Sequence, residues 1–225
     1  MAAYLIVGAS RGIGGETAQY LASRGAELYS VCRTPAVAGK WIEADIGTDT
    51  GVGYVCERIG DRTLDGLLFL GGSWEDGAFT DAYDFMSSPT AEVRDVISVN
   101  LVAPIVLARL LTPNLAKAEN PRIILNGAVS GLPNCATREV TNTAVRFGIQ
   151  GVAQSLNLSL KNSGIGVTVV NPEYVATQEV LADFAGGASN APPPIPMADV
   201  FATYEYVLSC SARALPAEIT LKQKI

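Results

Sequence analysis

Short, nearly unbroken apolar runs alternate along the chain with longer stretches in which apolar residues recur every three or four positions. The short runs are residues 4–7 (YLIV), 27–31 (ELYSV), 41–44 (WIEA), 67–70 (LLFL), 122–125 (RIIL), 167–170 (VTVV) and 218–221 (EITL). Runs of this length and apolarity suit strands covered on both faces, as in a parallel sheet. The longer pattern is clearest at Val145, Ile149, Val152, Leu156 and Leu160, which share one face of a long amphipathic helix. A second helix is expected over residues 92–111, with Pro89 near its start, Pro113 just past its end and Pro104 kinking it. Strand–helix alternation over the whole length, with no internal repeat and no linker-like composition shift, predicts a doubly wound α/β fold. It would hold a parallel sheet of about seven strands with helices on both faces, in a single domain over residues 1–225. Residues 186–194 (GGASNAPPP) follow the sixth strand and read either as a mobile lid or as a plain surface connector.

Composition narrows the chemistry by exclusion. The 225 residues include no histidine, which removes Ser-His-Asp and Cys-His nucleophiles and every histidine-ligated metal site. Cys32, Cys56, Cys135 and Cys210 lie far apart without a C-x-x-C pair, so no metal site or redox dithiol is expected. A net charge of −6 disfavours nucleic acid and anionic lipid as partners. The chain opens MAAYLIVGAS without a basic n-region. Its longest apolar run, residues 101–108, stops at Arg109, short of a membrane span. A cytoplasmic protein with a small-molecule partner is expected.

The first strand runs directly into Gly8-Ala9-Ser10-Arg11-Gly12-Ile13-Gly14, which opens the first helix. In that context Gly8 permits a sharp turn, Gly12 a close approach of backbone to a pyrophosphate, and Gly14 tight helix–strand packing. The helix N-terminus then offers N–H groups and partial positive charge to the phosphates. A site for NAD(H) would place a carboxylate at the end of the second strand for the ribose 2′-hydroxyl. The strand ends Val31-Cys32-Arg33-Thr34 instead, and Arg33 with Arg11 can flank a 2′-phosphate. NADP(H) is therefore the expected cofactor.

The G-x-x-x-G-I-G loop resembles that of the short-chain dehydrogenase/reductase family, and the resemblance runs nearly the whole chain. Asp45-Ile46 resembles the family's adenine-contacting pair, Val99-Asn100 its relay asparagine, and residues 123–131 the fifth strand with the turn of the catalytic serine. Residues 151–160 resemble the helix that follows the Tyr-x-x-x-Lys motif, and residues 171–177 (NPEYVAT) the N-P-G-x-V-x-T stretch. The resemblance implies a Rossmann-like domain. It implies cofactor contacts from Gly8, Ser10, Arg11, Gly12, Ile13 and Gly14, then Arg33, Asp45, Ile46 and Gly71, and finally Arg146, Pro172, Val175 and Thr177. It also implies a homodimer or homotetramer, paired through residues 92–111 and 142–160 and the last strand.

The same comparison exposes departures. The family tyrosine falls on Asn142, the lysine on Arg146 and the serine on Ala128, so of the Asn-Ser-Tyr-Lys tetrad only Asn100 is intact. An asparagine amide cannot serve as general acid, and losing a positioned acid costs about 10²–10⁴ in rate. Arg146 keeps the cation and can still bond ribose hydroxyls. The candidate catalytic set is thus Asn100, Asn142, Arg146 and Tyr174, the last as replacement acid beside Glu173. Three classes of function share this pattern: an atypical oxidoreductase acting on an imine-type substrate that needs no enzyme proton, a non-redox nucleotide sensor, and a cyclase or isomerase reusing the pocket.

Overall fold

The computed structural model describes residues 1–185 and 192–224, so residues 186–191 of the expected lid lie outside the described part. Its strands are β1 (Ala3–Val7), β2 (Glu27–Cys32), β3 (Lys40–Glu43), β4 (Gly66–Phe69), β5 (Arg122–Asn126), β6 (Gly166–Pro172), β7 (Val175–Ala176), β8 (Ile195–Pro196) and β9 (Glu218–Leu221). Seven of them form one parallel sheet in the order β3-β2-β1-β4-β5-β6-β9, and β7 pairs with β8. The helices are α1 (Gly12–Ser23), α2 (Asp49–Ile59), α3 (Thr90–Ile97), α4 (Ala103–Leu115), α5 (Val140–Ser159), α6 (Gln178–Ala185) and α7 (Met197–Ser209).

Period-two alternation divides each strand between two cores. Leu5, Val7, Leu67, Phe69, Ile123, Leu125, Val167 and Val169 pack with Val52 and Val55 of α2, Leu107 and Leu111 of α4, and Ile149 of α5. Ile6, Leu68, Ile124 and Val170 pack with Ala18 and Leu21 of α1 and with Val200, Tyr204 and Val207 of α7. Helices thus cover both faces, which explains why the strands read as apolar runs. The crossover from β6 to β9 carries the β7-β8 pair, and the sheet order reverses between β1 and β4. From β1 the chain winds outward to β2 and β3, then returns to build the other half, which leaves a crevice at the C-terminal ends of β1 and β4.

The long helix does not stop at residue 111. Instead α3 continues through a π-helical turn, Ser98–Val102, into α4, and the Ala103 N–H donates to the Ser98 carbonyl five residues back. Pro104 has no N–H, and in an α-helix its ring would press on the Asn100 carbonyl. The wider turn takes up that conflict and lets the helix run on. Pro113 lies inside the helix rather than past its end. The continuous segment Thr90–Leu115 has 26 residues, and an 18-residue stretch of it has a mean hydropathy of 1.8, long and apolar enough by length and composition to cross a membrane. In this fold it is a layer helix, with Leu107, Leu111 and Leu115 buried in the core.

Near the other end, the Gln223 side-chain amide donates to the carbonyls of Pro192 and Pro193 at 2.8 Å each, fastening the proline end of the 186–194 segment to the C-terminal residues. Leu107 is fully buried among β4, β5 and α2 neighbours. Leu107→Ala should lower stability by about 2–5 kcal/mol, read by urea denaturation as a lower midpoint at unchanged slope.

Candidate functional site

A cleft of about 730 Å³ opens in the crevice. One end is built from backbone. Gly8 has φ +90°, and a Cβ there would stand 2.2 Å from the Gly71 Cα. A Cβ on Gly14 would stand 2.3 Å from the Gly8 carbonyl oxygen. Two main chains and the start of α1 therefore converge where no side chain fits. The Arg11 side chain does not cap α1, and its first turn holds no acidic residue. Gly12, Ile13 and Gly14 line the cleft. A bare helix start beside a glycine turn fits a pyrophosphate. Arg11, Arg33, Asp45 and Ile46 line the same end, and among the described residues neither arginine enters an ion pair. Asp45 is held as a turn by the Gly47 N–H, which donates to its Oδ1 at 2.9 Å.

The other end is lined by Gly72, Ser73, Trp74, Asn126, Arg146 and Tyr174. Arg146 is 6% exposed. Its Nε donates to Asn142 Oδ1 at 3.3 Å and its Nη1 to the Asn126 carbonyl at 2.9 Å. Burial lowers its pKa to about 10, so it stays cationic at neutral pH. Asn126 is held in turn by Tyr204, whose hydroxyl lies 3.4 Å from Asn126 Oδ1 and whose pKa is raised by burial.

The start of α5, which carries Asn142 and Arg146, is clamped by the loop after β4. Glu75, 3% exposed, accepts the backbone N–H groups of Thr141 and Asn142 at 2.8 and 2.9 Å through Oε1. Its Oε2 has no hydrogen-bond partner among the described residues. Glu139 Oε1 accepts the Phe79 N–H at 2.9 Å, and the Tyr83 hydroxyl accepts the Val140 N–H at 3.1 Å. A carboxylate on the first-turn amides of a helix is favoured by hydrogen bonding and by the helix dipole.

The structure brings most of the expected residues together. Gly8, Ser10, Arg11, Gly12, Ile13, Gly14, Arg33, Asp45, Ile46, Gly71, Arg146, Tyr174, Val175 and Thr177 all line the one cleft. Three do not. Asn142 is 2% exposed, its short amide held on Arg146 Nε instead of reaching the cleft as a longer side chain would. Asn100 turns inward, donating to the carbonyls of Ser73 and Val96 at 2.8 Å each. Pro172 is buried at the end of β6, in register with Leu221. Sequence reasoning missed Ser73, Trp74, Asn126 and Glu75. The first two lie two and three residues after Gly71, an expected cofactor contact, and that nearness was the available signal. Glu75→Ala strands two buried amides and should cost about 1–3 kcal/mol, while Glu75→Gln, which keeps an acceptor, should cost less. Urea unfolding of the two variants checks the order.

The chain matches the short chain dehydrogenase family over residues 2–184. It is 30% identical over 201 residues to the 3-oxoacyl-(acyl-carrier-protein) reductase FabG of Haemophilus influenzae, covering 84% of this chain and 81% of that protein. It is 27% identical over 190 residues to the FabG of Escherichia coli K12, covering 79% and 75%. Among solved structures it resembles a short chain dehydrogenase from Escherichia coli CFT073 complexed with NADPH, at TM-score 0.80 and 21% identity, covering 97% and 95%. It also resembles a 4-hydroxyisoleucine dehydrogenase complexed with NADH, at TM-score 0.82 and 18% identity, covering 98% and 96%. The parallel sheet, the glycine turn at its switch point and the match over most of the length agree, and the chain belongs to the short-chain dehydrogenase/reductase family.

Proposed function

We propose that the protein is an NADP(H)-dependent oxidoreductase with a non-standard active site, acting on a small molecule whose reduction takes no proton from the enzyme. One observation carries the reading. The glycine turn and the start of α1 line one end of the cleft, while Asn142, which the family resemblance sets at the tyrosine position, bonds Arg146 and does not line the cleft. The family membership, the reductase relatives and the NADPH-bound structural neighbour support the cofactor.

When bound, the cofactor supplies a hydride. An iminium carbon accepts it with its π pair staying on nitrogen, so no acid is required. The chain's own part is binding and orientation. The glycine turn and the α1 start hold the pyrophosphate, and Arg11 with Arg33 the 2′-phosphate. Trp74, half exposed at the cleft wall, shields the reacting end from water. Tyr174 is the phenol among the described lining residues, so a carbonyl substrate would draw its proton there.

The reading extends to assembly. Val102, Ile105 and Leu110 along the π turn and α4, with Phe147 and Leu158 of α5, are each 40% exposed or more, an apolar surface fit for a second copy. We expect a dimer or tetramer by light scattering, and a monomer at micromolar concentration contradicts it. Calorimetry should give NADPH a clear affinity advantage over NADH. Arg33→Ala should remove about tenfold or more of it, the size of one charge-assisted phosphate contact. Equal affinities in the wild type would sink the NADP(H) assignment.

A further inference from the structure

Two buried arginines in this chain are treated differently. Arg122, 3% exposed, donates through Nη1 to the Ala214 carbonyl and through Nη2 to those of Cys210 and Ser211, at 2.8–3.0 Å. Both its terminal nitrogens are answered by backbone, which ties β5 to the segment before β9. Arg146 is nearly as buried, but only Nε and Nη1 are answered. Its Nη2 has no acceptor among the described residues and lies 3.5 Å from where a Cβ of Gly72 would stand, on the cleft wall.

Among the described residues no carboxylate forms an ion pair with this guanidinium. The ion pairs among the described residues involve Arg24, Lys40 and Arg138 only. Glu75, on the same helix start, spends Oε1 on two α5 amides and makes no ion pair with Arg146. Glu173 lines the cleft but is exposed, and its Oε2 accepts the Gln223 N–H at 2.8 Å. A buried charge without a counter-charge is costly, and a ligand anion removes that cost.

Ser73, next along the cleft wall after Gly72, supplies a second donor. Its Oγ accepts from Asn100 Nδ2 at 3.3 Å, which orients the hydroxyl and leaves its proton to donate. The lack of a side chain at Gly72 keeps the space beside Arg146 open, since a Cβ there would meet Asn100 Oδ1 at 2.6 Å. One guanidinium edge and one hydroxyl make two donors, the number needed for two carboxylate oxygens.

We infer that Arg146 Nη2 and Ser73 Oγ form the binding site for a carboxylate on the substrate, so that the substrate class is an acid with an iminium carbon beside its carboxylate and not a neutral compound. The inference deepens the oxidoreductase reading and rests on it. Asn142 and Asn126 are then positioning residues, which hold the guanidinium through Nε and Nη1 with Nη2 toward the cleft.

The test is calorimetric titration with oxamate, a non-reducible carboxylate of that shape, against its neutral counterpart oxamide, run with and without NADPH. Oxamate should bind NADPH-loaded wild-type protein about 30-fold or more tighter than oxamide, as expected for one buried charge-assisted contact. Arg146→Gln should abolish that preference. Arg146→Lys, which keeps the charge, should recover part of it, and circular dichroism confirms that both variants fold. Asn142→Ala should weaken oxamate severalfold with the oxamide affinity unmoved. Equal binding of oxamate and oxamide, or no oxamate binding beside normal NADPH binding, overturns the inference alone. Equal proportional losses of NADPH and oxamate in Arg146→Gln also overturn it, because the cofactor is then the anion served. Inorganic phosphate binding tighter than oxamate does the same. Failure of NADPH to bind the wild type overturns the cofactor reading, and the Arg146 dependence of oxamate binding without NADPH then decides the inference by itself.

Discussion

The working part of this molecule depends on how closely two main chains approach at the C-terminal ends of β1 and β4. Gly8 and Gly71 sit so near each other that a single added methyl would overlap backbone. That contact pins the glycine turn against the sheet and fixes where α1 begins. It lies where the sheet order reverses, so the connections leave in opposite directions and a crevice opens between them. Everything built later, from Arg33 at one end to Arg146 at the other, is positioned relative to that point.

At the far end of the cleft the polar side chains form a connected arrangement. Asn142 and Arg146 lie one turn apart on α5 and bond each other. Asn126 supplies a carbonyl to Arg146 and receives Tyr204 on its side chain. Glu75 holds the α5 amides, including that of Asn142 itself. Asn142 thus serves as a fixture for the Arg146 cation.

Much of the architecture could be read from the chain. Strand positions were legible because burial on both faces erases the polar alternation that would otherwise blur them, and the glycine turn because strand, loop and helix follow in immediate succession. The helix around Pro104 was not. A proline rule predicts a kink at Pro104, and the wider hydrogen bonding of residues 98–102 that accommodates the ring is not visible in residue spacing. The cofactor end of the site was legible as local motif. Asn142 and Asn100 fell at the expected chain positions, yet their side chains turned inward, because direction is set by partners that sequence spacing does not reveal. Glu75 was illegible for the same reason: its role depends on a loop folding back sixty-odd residues along the chain.

The central claim is that the protein keeps hydride chemistry while its proton donor has been given up. Single-turnover mixing of NADPH-loaded protein with a matched pair of substrates tests it, one a cyclic iminium acid and the other the corresponding 2-oxo acid, followed by loss of reduced-nicotinamide absorbance. The account predicts oxidation by the iminium at least about 10²-fold faster than by the oxo acid, the lower end of what a missing general acid costs. Equal rates with both, at ordinary enzymatic speed, would show that a proton donor is in place after all and would contradict it.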